Sequence, residues 1–160
     1  MSALNTDALI QRLVHEEGMA KRDPAKPGRL FPYKDSKGIE TIGVGRNLKE
    51  RGISDAEAMV LLRNDIAEHT ALLDKYLPWW RDMDAVRQLA FADLAFNLGV
   101  GPSDEQPEGK LLGFHGTLDA FRTGDYEVAA KHLEATGWYT QVGPRGPSVV
   151  ALVRTGEMAA

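Results

Sequence analysis

One long helix near the middle of the sequence limits most strongly what this chain can fold into. Ser54 and Glu57 have the spacing of a capping box, in which each side chain binds the other residue's free backbone amide at a helix start. Apolar residues follow at helical spacing as far as Tyr76, and Pro78 cannot continue the helix. At about 1.5 Å per residue, a helix over 55–77 would be roughly 30 Å long or more. It is long enough to connect two lobes.

The rest of the sequence predicts a mainly helical chain with one small β element. A first helix begins at Asn5 or Thr6, either of which can cap it, and ends at Glu17, which a glycine follows. Residues 19–32 are rich in Lys, Arg, Pro and Gly, which indicates a loop. A β-hairpin with a glycine in its turn is predicted over 33–44. Further helices are predicted near 84–98, 112–122, 126–135 and 145–154.

Composition argues against several classes of function. The chain has 160 residues, 19 of them basic and 23 acidic, so its formal net charge of −4 disfavours nucleic-acid binding. It has no cysteine, which rules out disulfides and thiolate sites, and its four histidines lack metal-ligand spacing. We therefore expect no metal and no other cofactor. There is no run of about 18 apolar residues that could span a membrane, and the N-terminus lacks the layout of a signal peptide.

Three residues are candidates for catalysis: Glu17, Asp35 and Thr41. Splitting the acetal bond between two sugars requires an acid that protonates the leaving oxygen and a group that directs water at the anomeric carbon. Glu17 ends a helix, while Asp35 and Thr41 lie on opposite arms of the hairpin, so the two elements can face each other. Singly, each has an ordinary explanation, as a solvated glutamate, a turn aspartate and a β-forming threonine. Their joint occurrence favours catalysis.

The segment from Glu17 to Gly45 resembles the catalytic segment of the T4-type phage lysozymes, endolysins that cleave bacterial peptidoglycan. Later phrases, such as Asp84–Arg87 and Phe96–Gly99, follow the order of the same family, so the resemblance covers essentially the whole chain. It implies an α+β, mainly helical fold with two lobes. The implied parts are a hairpin lobe with the active site at about 14–54, a connecting helix at about 55–77, and a helical lobe at about 78–160 that includes the first helix, 5–16.

The resemblance also implies roles for individual residues. Glu17 would be the general acid, and Asp35 and Thr41 would hold the attacking water, with inversion at the anomeric carbon. Inverting enzymes keep their two carboxyl groups roughly 6.5–9.5 Å apart. Arg46 is expected to pair with Asp65 of the long helix and so tie the hairpin to it. The positions expected to line the substrate groove are Asn47, Phe96, Asn97, Thr117 and His132. The ordinary alternative for Phe96 is a place in the core. The ordinary alternative for His132 is simple exposure to solvent.

The interval between Glu17 and Asp35 is longer than in the compact members of the family because of residues 19–32. This insertion contains four basic residues, Lys21, Arg22, Lys26 and Arg29. One interpretation is a solvated loop. The other is a basic lip that attracts the anionic wall polymer despite the acidic net charge.

The implied function is a muramidase that cuts the β-1,4 bond between N-acetylmuramic acid and N-acetylglucosamine and lyses a phage's host. We expect a monomer that stays in the host cytoplasm until a separate holin releases it to the wall; a virion-associated lysozyme would have the same core. Two enzymatic alternatives are a lytic transglycosylase and a chitinase on the same fold. The alternative from another class is a catalytically inactive wall-binding module. The intact acid, aspartate and threonine argue against that alternative.

Overall fold

The structure, a computed structural model, describes residues 4–17, 24, 26–101 and 110–158. Internal contacts divide the chain into two compact units, residues 1–59 and 60–160. The boundary between them falls inside the longest helix. In the described residues no helix is both long enough and apolar enough to cross a membrane.

The first unit begins with helix α1, Thr6–Glu17. The side-chain Oδ1 of Asn5 accepts the backbone N–H of Ala8 at 3.0 Å, so Asn5 caps this helix as predicted. Gly18, the expected helix terminator, lies outside the described residues. The predicted packing of α1 with the helical lobe stays a prediction.

A three-stranded antiparallel sheet follows in the first unit. Tyr33 pairs with Thr41 across the predicted hairpin, which is thereby confirmed. Thr41 also pairs with Asn47 in a third strand that the sequence analysis missed. The second strand ends earlier than predicted because Gly43 and Gly45, with φ of +63° and +64°, turn the chain back. The elements are β1 (Tyr33–Lys34), β2 (Glu40–Ile42), β3 (Arg46–Asn47) and helix α2 (Leu48–Arg51).

The long helix α3, Asp55–Tyr76, agrees with the prediction to within one residue at its end. Its capping box forms as predicted: the N–H of Ser54 donates to Oε2 of Glu57 at 2.7 Å, and the N–H of Glu57 donates to Oγ of Ser54 at 3.3 Å. The first residues of α3 belong to the first unit, and the rest belong to the second.

The second unit is helical throughout its described residues. The four later helices predicted from the sequence are present, although the one expected near 112–122 is divided into a 3₁₀ turn and an α-helix. A 3₁₀ helix at Pro78–Asp82 and a short α-helix at Gly137–Gln141 were missed. The elements are α4 (Ala85–Leu98), a 3₁₀ turn (Leu111–Gly113), α5 (His115–Thr123), α6 (Tyr126–Glu134), α7 (Gly137–Gln141) and α8 (Arg145–Thr155).

The hydrophobic core lies in the second unit. Among the described residues, every buried hydrophobic side chain falls between Leu73 and Val153. At its centre, Phe91 of α4 meets Phe121 of α5 edge to face, with ring centroids 4.9 Å apart. In the described part of the first unit, Thr41 is the one buried residue. The scaffold of this chain is thus a helical core, and the predicted catalytic residues lie outside it.

Candidate active site

Asp35 follows β1 and organises the turn that leads into β2. Its Oδ1 accepts the backbone N–H groups of Lys37 at 2.8 Å and Ile39 at 2.9 Å. Its own N–H donates to the carbonyl of Ile39 at 3.0 Å. The aspartate therefore does have the turn role that its sequence context suggested. Both amide bonds go to Oδ1, and no described residue donates to Oδ2, which leaves that oxygen available to a water molecule.

Thr41 lies in the middle strand and is only 4% exposed. Its hydroxyl donates to the carbonyl oxygen of Ile39 at 3.1 Å. Ile39 thus connects Asp35 and Thr41, because its N–H donates to the aspartate and its carbonyl oxygen accepts from the threonine. With its proton committed, the threonine oxygen still has lone pairs that can accept a hydrogen bond from water.

Glu17 packs against the turn that joins β2 to β3. A Cβ atom placed on Gly45 would lie 3.1 Å from Oε2 of Glu17 and 3.3 Å from its carboxyl carbon. Glycine is needed at position 45 for this close approach as well as for its positive φ. Glu17 is exposed and forms no hydrogen bond or ion pair with any other described residue. Among the described residues, its carboxyl group is thus not committed to a structural contact.

The first unit brings the three predicted catalytic residues to one strand. The turn held by Asp35 is at one end of β2, and the turn against which Glu17 packs is at the other. Thr41 lies between these two turns. The predicted separation of the two carboxyl groups stays a prediction.

Arg46 anchors β3 to the start of α3, but its partner is not the predicted one. Its two terminal nitrogens bind the two carboxylate oxygens of Glu57, at 2.7 and 3.0 Å. Its Nε donates to the carbonyl of Gly52 at 2.8 Å. Glu57 thus takes the role expected of Asp65, because it offers Arg46 both oxygens in the forked geometry that guanidinium groups prefer.

The capping box was the sequence signal that could have identified Glu57, since it fixes this carboxylate at the first turn of α3. The N–H of Ser54, then its hydroxyl, and then the charge of Arg46 lower the pKa of Glu57 below its ordinary value, against the opposing effect of desolvation. The residue is therefore held as an anion that serves the helix cap and the arginine together.

The predicted groove residues are already bonded to the protein in several cases. Oδ1 of Asn47 accepts the N–H of Glu50 at 3.0 Å and so caps α2. Oδ1 of Asn97 accepts the indole N–H of Trp138 at 2.7 Å. These contacts give both residues a structural role. Their predicted roles in substrate binding stay predictions.

The remaining groove candidates lie in the second unit. Phe96 contacts His69 with the rings tilted by 41° and their centroids 5.3 Å apart, and it lines an apolar pocket of about 330 Å³. Thr117 is buried, and the exposed His132 packs on the neighbouring Gly116, where a Cβ would lie 3.3 Å from Cε1 of the imidazole. Thr117 and His132 are thus neighbours in space, as a shared groove would require.

Two further predictions concern charged groups. Of the basic lip, Lys26 and Arg29 are exposed, and Nζ of Lys26 lies 5.5 Å from the ring centroid of Phe31. Lys21 and Arg22 lie outside the described residues. In the part of the chain that the structure describes, no group of three His, Asp or Glu side chains could hold a metal ion.

Comparison with known proteins settles the family. The sequence matches the phage lysozyme family over residues 27–154, which is 128 of its 160 residues. The chain belongs to the phage lysozyme family. The matched segment includes Asp35 and Thr41 but begins after Glu17. The role of Glu17 therefore depends on its sequence context and on its contact with Gly45.

Two curated relatives are similar to this chain over most of its length. The chain is 26% identical to the pre-baseplate central spike protein Gp5 of Enterobacteria phage T4, over 88% of this chain and 28% of that protein. It is 22% identical to probable T4-type lysozyme 1 of Dictyostelium discoideum, over 82% of this chain and 90% of that protein. The chain thus spans just over a quarter of the first relative and most of the second.

Proposed function

We propose that this phage lysozyme hydrolyses the β-1,4 bond between N-acetylmuramic acid and N-acetylglucosamine in bacterial peptidoglycan. Family membership supports hydrolysis of cell wall by a lysozyme-type reaction. The observation that carries the finer proposal is the carboxyl group of Glu17, which has no bonding partner among the described residues and packs on Gly45 beside the strand that contains Thr41. An uncommitted acid, together with a carboxylate and a hydroxyl that can hold a water molecule, is the arrangement that an inverting glycosidase needs.

In the proposed reaction, Glu17 gives its proton to O4 of N-acetylglucosamine as the bond to C1 of N-acetylmuramic acid breaks. Oδ2 of Asp35 and Oγ of Thr41 hold a water molecule on the opposite face of the sugar. The water oxygen bonds to C1, and its proton passes to Asp35. The product has inverted configuration at C1, and neither a covalent intermediate nor a cofactor is required.

The test is Glu17→Gln, with Glu16→Gln as the matched control. Glu16 is the exposed neighbour in the same helix, and its one ion pair, with Arg12 at 3.6 Å, is worth little. Loss of a general acid should lower the rate of release of reducing ends from purified walls by about 10²–10⁴-fold. The control should remain active, and both variants should have the same Tm as the wild type. A fully active Glu17→Gln variant would mean that another group is the acid.

Mass spectrometry of the same digests tests the reaction type. Hydrolysis leaves reducing N-acetylmuramic acid ends, whereas a lytic transglycosylase leaves anhydro ends. Because a transglycosylase needs only the acid, Asp35→Asn should abolish activity under our proposal and spare it under that alternative. Anhydro products, or an active Asp35→Asn variant, would overturn the hydrolytic scheme.

For the biological setting we propose phage-driven lysis of a bacterial host. In this scheme a monomeric enzyme accumulates in the host cytoplasm and reaches the wall through a holin. The similarity to a central spike protein favours a second setting, in which the lysozyme is part of the virion. Proteomic analysis of purified particles separates the two, because a virion component copurifies with the particle and an endolysin does not.

A further inference from the structure

We propose that the second unit carries an additional binding site for a glycan strand, centred on Trp79 and Arg122. This inference rests on the proposed function, because it takes the wall polymer as the ligand. It concerns binding away from the reacting bond and assigns no new chemistry.

Two adjacent pockets meet at these two side chains. One, of about 290 Å³, is bordered by Tyr76, His115 and Asp119 in addition to Trp79 and Arg122. The other, of about 230 Å³, is bordered by Trp79, Arg122, Asp82 and Tyr126. The pockets share a tryptophan and an arginine, and we call the two together the depression. Two adjoining pockets suit successive rings of a linear polymer better than a single compact ligand.

Trp79 has the properties of a stacking platform. Its indole contacts the core residue Phe91 with the rings tilted by 53° and their centroids 5.5 Å apart, while the side chain remains only partly buried. The adjacent Trp80 is different: it is 3% exposed, and its indole N–H donates to Asp74 at 2.7 Å. Trp79 has no hydrogen-bond partner among the described residues. The C–H face of a sugar ring can pack on such an indole, and its hydroxyls can reach the free N–H.

Polar side chains lie around Trp79. The side chains of Arg122 and Asp119 are 61% and 73% exposed, and the ion pair between them is long, at 3.5 Å. A pair of this kind contributes little, so both groups are available to a ligand. Arg122 can bind the carboxylates of the peptide attached to muramic acid, and Asp119 can accept from hydroxyl or N-acetyl N–H groups. A partly apolar depression with a few polar groups is the usual form of a small-molecule site.

The depression is separate from the groove positions predicted in the same unit. His115, Asp119 and Arg122 follow the spacing of one helix face of α5. At about 100° per residue, Thr117 points to another side of this helix, where it is buried. The two sites can therefore bind different parts of one polymer. Attachment at two points raises the effective concentration of the enzyme on an insoluble wall.

Binding to purified walls by the inactive Glu17→Gln variant tests the proposal. Into this background we would introduce Arg122→Ala, and separately Trp79→Leu, which keeps an apolar contact with Phe91 and removes the aromatic ring. Each should raise the Kd for sedimented walls about fivefold, which corresponds to the loss of about 1 kcal/mol. The control is Arg63→Ala, an exposed arginine of α3 outside the depression, which should bind normally.

A second measurement separates this proposal from the proposed function. With Glu17 intact, Arg122→Ala should cleave a soluble tetrasaccharide of the wall at the wild-type rate and cleave dilute walls more slowly. If Arg122→Ala binds walls as tightly as its parent, or if Arg63→Ala weakens binding equally, the additional site is refuted while the catalytic scheme stands. If Glu17→Gln is still active on the tetrasaccharide, the catalytic scheme fails whatever the binding result. If Trp79→Leu has a lower Tm than its parent, the test rests on Arg122→Ala alone, because the side chain of Arg122 is exposed.

Discussion

At the scale of single residues, the contact between Glu17 and Gly45 makes the sharpest prediction. In Gly45→Ala, the new methyl group would lie 3.1 Å from Oε2 of Glu17 and would push the carboxyl group aside. Because catalytic groups tolerate little displacement, we expect activity on walls to fall by about tenfold or more. Stability should also fall, by roughly 1–2 kcal/mol, because alanine disfavours the left-handed backbone. Activity and thermal unfolding are measured on the same preparation.

Gly43→Ala is the matched control for this prediction. Gly43 lies in the same turn with nearly the same φ, +63° against +64°, but a Cβ there would meet nothing within 4 Å. It should lose similar stability and keep its activity. Equal losses of activity in the two variants would show that turn strain, and not the approach to Glu17, is responsible.

The residues of the site could be predicted only in part from the sequence. The catalytic roles of Glu17, Asp35 and Thr41 were predicted because their types and order match a known catalytic segment, and these roles stay predictions. The partner of Arg46 was missed, because Asp65 matched the family pattern and Glu57 was assigned only to the capping box. No sequence pattern indicates that the side-chain oxygen of Asn97 accepts the indole N–H of Trp138, because the two positions are 41 residues apart in the chain.

At the scale of elements, the predictable helices are those that have their start and stop signals in the sequence. Asn5 and Ser54 each cap a helix as the pattern indicates, and Asp84 caps α4. The missed elements are short: β3 has two residues, α2 has four and α7 has five. Segments of this length show no periodicity. They form because neighbours fix them, as β2 does for β3 through the pair of Thr41 with Asn47.

The junction between β3 and α3 should make stability depend on pH. Because the pKa of Glu57 is lowered in the folded state, its contribution is present above the ordinary glutamate pKa of about 4.3 and is lost as pH falls through the folded value. Glu57→Gln keeps the capping box, which glutamine can also complete, and loses the charge facing Arg46. We expect the variant to melt below the wild type at pH 7, and the gap in Tm to close towards pH 3.

Glu50→Gln, an exposed glutamate in α2, removes the same charge without an arginine partner among the described residues and serves as the control. Its Tm should differ little from the wild type at either pH. A gap between wild type and Glu57→Gln that stays constant across the titration would mean that the charge of Glu57 does not support the junction.

At the scale of the whole molecule, burial is distributed very unevenly between the two units. The buried hydrophobic residues of the described chain all belong to residues 73–153, whereas the predicted catalytic residues precede residue 42. Hydrophobic burial is the main favourable contribution to folding, so the helical unit supplies most of the stability. The sheet that carries Asp35 and Thr41 has short ladders and little core, which are features of segments that open locally.

Native-state hydrogen exchange should therefore separate the two units in the intact chain. Amides of α4, α6 and α8 should exchange with the free energy of global unfolding, and those of β1 and β2 with a free energy a few kcal/mol smaller. Phe91→Ala, which empties the centre of the core, should lower the free energy for the helices by about 3–5 kcal/mol. It should leave exchange in β2 almost unchanged, because local opening of the strand does not expose Phe91. If the substitution lowers both free energies equally, the strands exchange only through global unfolding, and the catalytic sheet is as stable as the helical core.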